Sequence, residues 1–383
     1  MARLGDICTI QSGGTPSRGN KEYWDNGTIP WVKISDFSGK HLNCTSEKIT
    51  QKGLDNSSAK VFSKGTILYT IFATLGETAI LGIDATTNQA IAGLKLNDAS
   101  VSTDYLYYYL LSKKDYVNEI GRGVAQNNIN LKILREMEIS VPSAEEQKYV
   151  SETLNTVYEL TSLRKQQLVK LDELVKARFV ELFGDPEKNT FSWREEELSE
   201  HLTVIGGYAF KREQFSEEGI PVLRIGNINS GFFKPVNLVY WEDDDTLSRY
   251  KMYPGDLVMS LTGTVGKDDY GNVCILGNDY DVYYLNQRNA KLELQDTMNK
   301  YYLSMLLKFE PIKKKLTGIS RGVRQANISN KDILNLSVPI PPIELQNQFA
   351  AFVEQTDKSK LAIQQSLDKL EILKKSLMQK YFG

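Results

Sequence analysis

Histidine and cysteine are almost missing from this chain. Cys8, Cys44 and Cys274 stand far apart with no CxxC pair, which leaves no disulfide framework and no thiolate zinc site and fits reduced thiols in the cytosol. His41 and His201 are the only histidines, too few for a histidine metal site or histidine-based catalysis. No uninterrupted apolar run approaches the roughly 20 residues of a membrane span, and the N-terminus has no signal-peptide pattern. A cytoplasmic protein without membrane contact is expected. Sequons such as Asn26-Gly27-Thr28 and Asn56-Ser57-Ser58 then carry no meaning. A large excess of positive charge is missing too: the formal net charge is −2, unlike a typical stand-alone nucleic-acid binder. A neutral total can still hide basic faces, offset here by the run Glu242-Asp243-Asp244-Asp245. That run reads as a solvated loop rather than a divalent-metal cluster.

Catalytic signatures are equally scarce. Leu261-Thr262-Gly263-Thr264-Val265-Gly266-Lys267 resembles a phosphate loop, but Leu261 stands where glycine is needed and Asp268 where Ser or Thr is needed. A polar hairpin or reading loop is expected instead. There is no Asn/Asp-Pro-Pro-Tyr/Phe motor for base methylation, no GxGxxG and no nuclease carboxylate–Lys cluster. The chain is expected to be non-catalytic and to hold no cofactor or metal.

One local absence organises the whole sequence: proline and glycine vanish between Ser143 and Phe183. The stretch is rich in Leu, Val, Glu, Lys and Gln, which suit a helix. Leu154, Val157, Thr161, Arg164, Leu168, Leu171, Val175, Arg178 and Leu182 fall on one stripe with charged margins, a heptad seam that wants a partner helix. It begins after Pro142 and stops at Gly184-Asp185-Pro186, a rod of roughly 60 Å. The seam returns from Ile343 to Phe382 as Val353, Thr356, Lys360, Ile363, Leu367, Leu370, Lys374, Leu377 and Tyr381. Val353 follows Leu154 by 199 positions, and Phe382-Gly383 follow Phe183-Gly184 by the same 199. Pro142, Glu145 and Gln147 align with Pro341, Glu344 and Gln346. The chain is an internal duplication.

The segments before the two helices repeat as well. A strand is expected over Arg3 to Ile10 and again over Leu198 to Ile205. Gly13-Gly14-Thr15-Pro16 is matched by Gly206-Gly207-Tyr208-Ala209, and Ile29 to Ile34 by Ile220 to Ile225. Gly65 to Leu68 matches Gly255 to Val258, Asn88-Gln89 matches Asn286-Gln287, and an amphipathic helix over Asp104 to Leu111 matches Tyr302 to Leu307. Arg122-Gly123-Val124-Ala125-Gln126-Asn127-Asn128-Ile129 matches Arg321 to Ile328. Each module is α+β. The expected layout is two similar α+β recognition domains, residues 1–142 and 185–340, separated by spacer helices over 143–184 and 341–383. A domain's termini lie close together, so the helices should run antiparallel, with the modules inverted across a pseudo-twofold axis.

Duplex DNA shares that twofold, with half-sites about 34–36 Å apart per turn. The modules share framework but differ in loops, Phe72 to Glu77 against Leu261 to Lys267 for example, which implies an asymmetric bipartite target. The chain resembles, along essentially its whole length, the specificity subunit of type I restriction–modification enzymes. The resemblance rests on Leu4-Gly5-Asp6-Ile7 followed by Gly13-Gly14-Thr15-Pro16, on the paired Gly-x-x-Gln-x-Asn-Ile runs, and on the paired Pro-x-x-Glu-x-Gln segments that lead into the long helices. Module two departs from it in lacking the Thr-Pro of the first loop. It implies two target-recognition domains reading double-stranded DNA and two helices docking two methyltransferase subunits. Endonuclease/translocase subunits join later, and S-adenosylmethionine, ATP and Mg belong to those partners.

Candidate contacts follow. The Gly13-Gly14 and Gly207-Tyr208 loops, with Thr15 and Ser17, either place backbone N–H groups on phosphate or are tight turns. Arg122, Gln126, Arg321, Arg324 and Gln325 suit base edges or phosphate, yet their repetition in both modules cuts against sequence reading and favours a structural or partner-docking role over phosphate contact. Asn128 and Asn327 read as a turn or cap. Lys33 and Arg224 end matching strands beside Ser35 and Asn227, either solvated or on DNA. Thr262, Thr264 and Lys267 belong to the second reading loop. Tyr23, Trp24, Tyr208 and Phe210 are core or sugar-packing aromatics. The rival readings are a coiled-coil scaffold binding RNA or peptides, and a self-contained methyltransferase, for which no donor site is visible.

Overall fold

The computed structural model describes every residue except 122–127, 265, 266, 268 and 319–324, and the side chain of Gln325. It divides into two compact units, Met1–Lys165 with Gln365–Gly383, and Gln166–Gln364. Each takes in part of both long helices, which span Ala144–Phe183 and Ile343–Phe382, 40 residues apiece. The first starts on a reciprocal cap: the Ser143 hydroxyl accepts from the Glu146 N–H, and the Glu146 carboxylate accepts from the Ser143 N–H at 3.1 Å. It stops at Gly184, whose φ of +78° suits glycine and whose N–H reaches the Val180 carbonyl.

In the first unit, strands His41–Leu42, Thr78–Leu81, Ile67–Thr70, Ile91–Leu96 and Cys8–Ser12 lie in that order in one sheet. Helix Thr103–Ser112 buries Tyr105 through Leu110 on it. The same core takes Val150 and Leu154 from the beginning of the central helix and Phe382 from the end of the C-terminal one. The two segments are therefore antiparallel here, and Lys165 pairs with Glu371 at 3.4 Å. In the second unit, Leu202–Gly206, Asn289–Leu294, Leu257–Ser260 and Val273–Ile275 form the sheet. Helix Lys300–Lys308 covers it. Phe179 and Phe183 from the end of the central helix meet Phe349 from the start of the other, and Lys360 pairs with Asp172 at 2.7 Å. These segments are antiparallel too.

The duplication extends to single bonds. The Phe382 ring lies 5.2 Å from that of Tyr105, and the Phe183 ring 4.8 Å from that of Tyr302. Tyr105 donates to the Ser140 carbonyl, Tyr302 to that of Pro339. The glutamine of each Pro-x-x-Glu-x-Gln segment is buried and works as a clasp. Gln147 accepts from the Ser102 N–H and donates to the carbonyls of Ser100 and Pro142. Gln346 accepts from the Asn299 N–H and donates to those of Thr297 and Pro341. Ser102 and Asn299 are the N-caps of the module helices, so the motif ties each long helix to its module.

Along the stripe, Leu154, Val157, Val175 and Leu367 are buried, while Leu168, Leu171, Leu182, Val353, Ile363, Leu370 and Leu377 are half-buried. Two expected strands differ. Arg3 to Ile10 breaks into Ala2–Arg3, a helical turn Leu4–Ile7 and Cys8–Ser12; Leu4 and Ile7, three apart, both point inward as a helical turn requires. Leu198–Glu200 is likewise a 3-10 turn before the strand Leu202–Gly206.

Candidate nucleic-acid interface

The Gly-Gly loops have the same wiring in both units. The N–H of Gly13 goes to the Ile91 carbonyl and that of Gly14 to the Thr87 carbonyl. The N–H of Gly207 goes to the Asn289 carbonyl and that of Tyr208 to the Leu285 carbonyl. These donors are spent inside the fold, which favours the turn reading of the loops over the one that places their N–H groups on phosphate. Glycine is needed there for close approach: a Cβ on Gly13 would stand 2.0 Å from the Thr87 hydroxyl, and one on Gly207 2.1 Å from the Asn286 carbonyl. What the loops offer outward is side chains. Thr15 donates to Gln89 at 2.5 Å, Ser17 is exposed, and Tyr208 is 36% exposed, braced by Phe210 and Tyr250.

The strand ends also share a frame. Asp36 accepts from the Lys33 N–H, and Asn227 from the Arg224 N–H at 2.9 Å. Each then anchors the following loop in its own way. The Asp36 carboxylate accepts from the Ser46 N–H and hydroxyl, whereas the Asn227 amide donates to the carbonyls of Lys234 and Val236. Asn227 is 1% exposed and is an internal strut, not a DNA contact. Lys33 is paired with Glu47 at 2.7 Å, and Arg224 donates to the Asn237 carbonyl. Ser35 stays exposed.

The second reading loop meets the repeated Gly-x-x-Gln-x-Asn-Ile run. Strand Thr262–Thr264 pairs antiparallel with Gln325–Asn327, and the first unit has the bridge Phe72 to Asn128 at the matching place. The expected hairpin or reading loop thus begins in a ladder between two distant segments of the same module. The Thr262 hydroxyl is buried with no hydrogen-bond partner among the described residues, while Thr264 and Lys267 are exposed. Arg122, Gln126, Arg321 and Arg324, and the side chain of Gln325, lie outside the described residues.

Residues 1–173 and 192–372 both match the family model described as the type I restriction modification DNA specificity domain. The chain belongs to that family. The duplication is therefore two copies of one specificity domain, and the chain is a DNA-specificity subunit of the type I restriction–modification kind rather than a scaffold for RNA or peptides. It is 26% identical to the type I restriction enzyme MjaIX specificity subunit of Methanocaldococcus jannaschii, over 99% of this chain and 91% of that one. Its fold is similar to the S subunit of a type I restriction–modification system from M. genitalium, with TM-score 0.59 and 16% identity over 100% of this chain and 95% of that one. A chain solved in work on complex assembly and conformational transition of the type I system gives TM-score 0.60 and 19% identity, over 100% and 96%.

Within this specificity architecture Arg18 holds a place that no sequence motif marks. Its guanidinium lies 3.7 Å from the Trp24 ring centroid and pairs with Glu47 at 2.5 Å. Lys33 beside Glu47, with Arg18 adding, holds that carboxyl below its ordinary range. The available signal was Arg18 following Ser17 directly, six residues before Trp24. Phe232 was missed too: it is 57% exposed, with Lys234 over its ring. Its neighbour Phe233 is buried, so one aromatic anchors the loop and the other is presented. The acidic run holds structure: Asp244 caps the 3-10 turn Asp245–Tyr250, and Asp243 pairs with Lys251. Among the described residues no group of three or more His, Cys, Asp or Glu could hold a metal ion, and no helix is long and apolar enough to cross a membrane.

Proposed function

We propose that this chain reads an asymmetric, two-part DNA sequence, one part per module, and scaffolds the subunits that act on it. One observation carries the reading: two copies of one specificity domain keep the same backbone hydrogen bonds at their glycine loops while presenting different side chains there, Thr15 and Ser17 against Tyr208. Equal frames with unequal surfaces are what two different half-sites require. Thr15, Ser17, Ser35, Tyr208, Thr264 and Lys267 are the candidate contacts that face outward. The chain itself carries no catalysis and no cofactor. Two methyltransferase subunits and, in the full complex, endonuclease/translocase subunits bring S-adenosylmethionine, ATP and Mg, and the assembly works in the cytoplasm.

The test is methylation mapping of host DNA before and after residues 1–142 are exchanged for those of a relative with another target. Half of the modified motif should change while the other half stays. A motif unchanged, or changed throughout, would sink the reading. Titration of the purified chain with S-adenosylmethionine should show no binding; tight binding would revive the self-contained methyltransferase.

A further inference from the structure

The outermost strand of the first sheet, Cys8–Ser12, runs along an open groove of about 540 Å³. The groove sits where two of the repeated segments converge. Its strand leads straight into Gly13-Gly14, and its opposite wall is helix Leu131–Glu136, which follows the first Gly-x-x-Gln-x-Asn-Ile run. Gly5 lets the walls come close, since a Cβ there would already touch the Arg135 Cβ at 3.1 Å.

The lining is chemically one-sided. Lys60 and Arg135 supply two cations, Gln11 and Asn97 amides, Thr9 and Ser12 hydroxyls, and among the described residues no carboxylate lines the groove. Arg135 donates to the Ile10 carbonyl at 3.1 Å and Asn97 to the Thr9 hydroxyl. Among the described residues neither cation has a carboxylate partner. Other cations of the module do have carboxylate partners, as in Arg18–Glu47, Lys33–Glu47, Lys40–Asp104 and Lys114–Glu77. Two cations sharing a groove without a counter-charge repel each other, and an anion relieves that repulsion.

The second module lacks this device. Counting from the helix caps Asn130 and Ser329, Arg135 corresponds to Leu334; counting from the positive-φ glycines Gly65 and Gly255, Lys60 corresponds to Tyr250. Leu334 packs on the apolar core and Tyr250 joins the Tyr208 cluster. The groove's charge is thus a local feature of module one and no part of the shared frame. We infer that Lys60 and Arg135 form a phosphate grip that seats the duplex backbone beside the half-site read by module one. This rests on the DNA reading above. The grip positions the duplex and does not choose bases.

The test uses the complex of the full chain with its methyltransferase subunits, on duplex containing the mapped target. Lys60→Gln, whose side chain holds nothing in the fold, and Arg135→Gln are compared with wild type. Each should lower affinity several-fold at about 0.1 M salt and reduce the slope of log K against log salt by about 1, with the methylated motif unaltered. Ethylating individual phosphates should block wild type at one or two positions flanking the first half-site, and those positions should become neutral in Lys60→Gln. Wild-type affinity, slope and ethylation pattern in both variants would overturn the grip while leaving the DNA reading intact. A groove that merely holds free phosphate would give that same result. Wild-type complex without sequence-selective binding would remove the DNA reading, and the grip with it.

Discussion

At the scale of single residues, burial rather than reactivity explains most of the chemistry. Cys8 and Cys274 are buried, and desolvation pushes each thiol up to about 12; Cys44 is exposed. One thiol should therefore react with a disulfide reagent near pH 8 in the native protein and three after unfolding, measured by absorbance; rapid reaction of all three in the native state would contradict this packing. The sign of the pH dependence follows. Burial also raises Tyr158 to about 12. A group whose folded pKa lies above its unfolded value keeps its proton longer when folded, so its contribution is complete below the unfolded pKa and is lost as pH rises through the folded one. Stability should fall from roughly pH 9–10 upward. The clasps are the other residue-scale device. Gln147→Ala or Gln346→Ala strands a buried N–H and carbonyls, at about 1–3 kcal/mol for each group left without a partner. Urea unfolding should move by about 2 kcal/mol or more, whereas loss of only a surface hydrogen bond would barely register. Gly13→Ala should cost a similar amount or more, because its Cβ meets Thr87 backbone and side chain together.

At the scale of elements, the long helices were legible because nothing local opposed them: no proline, no glycine and a steady stripe over some forty residues. Their antiparallel course within each unit followed from the repeat together with the closeness of a domain's two termini. The cores were less legible. The seam pattern selects Arg178 and Leu182, yet the second core is completed by the adjacent positions Phe179 and Phe183, which meet the module at Tyr302 as well as the partner helix at Phe349. A stripe read for one partner hides a second. Helices Lys114–Gly121 and Glu310–Thr317 also escaped, being two turns long and, in the second, opening on a proline at the first turn. The loop glycines were legible as important but not in role, since close approach depends on residues some 75 positions away. Phe183→Ala should cost about 3–5 kcal/mol, and Phe382→Ala the same order. Hydrogen exchange read peptide by peptide should show the first loosening helix Lys300–Lys308 and the second loosening Thr103–Ser112. Equal loosening of both modules by either variant would contradict two separate cores.

At the scale of the whole molecule, charge decides how the chain must work. A protein that gripped DNA by itself would neutralise many phosphates, and non-specific affinity scales with their number. This chain has 46 basic against 48 acidic residues, and several of its module-one cations are already paired. On the proposed reading its own share of the phosphate contacts is small, and the bulk of the electrostatic attraction comes from the proposed methyltransferase subunits. Two consequences are measurable together by fluorescence anisotropy on one duplex carrying the mapped target. The isolated chain should bind no tighter than about 10⁻⁶ M at physiological salt, the weak non-specific range. Addition of methyltransferase should tighten binding by more than tenfold and steepen the salt dependence, because counterions are then released by both proteins. Nanomolar binding by the isolated chain would place the phosphate contacts here after all, and the division of labour between sequence reading and backbone attraction would have to be abandoned.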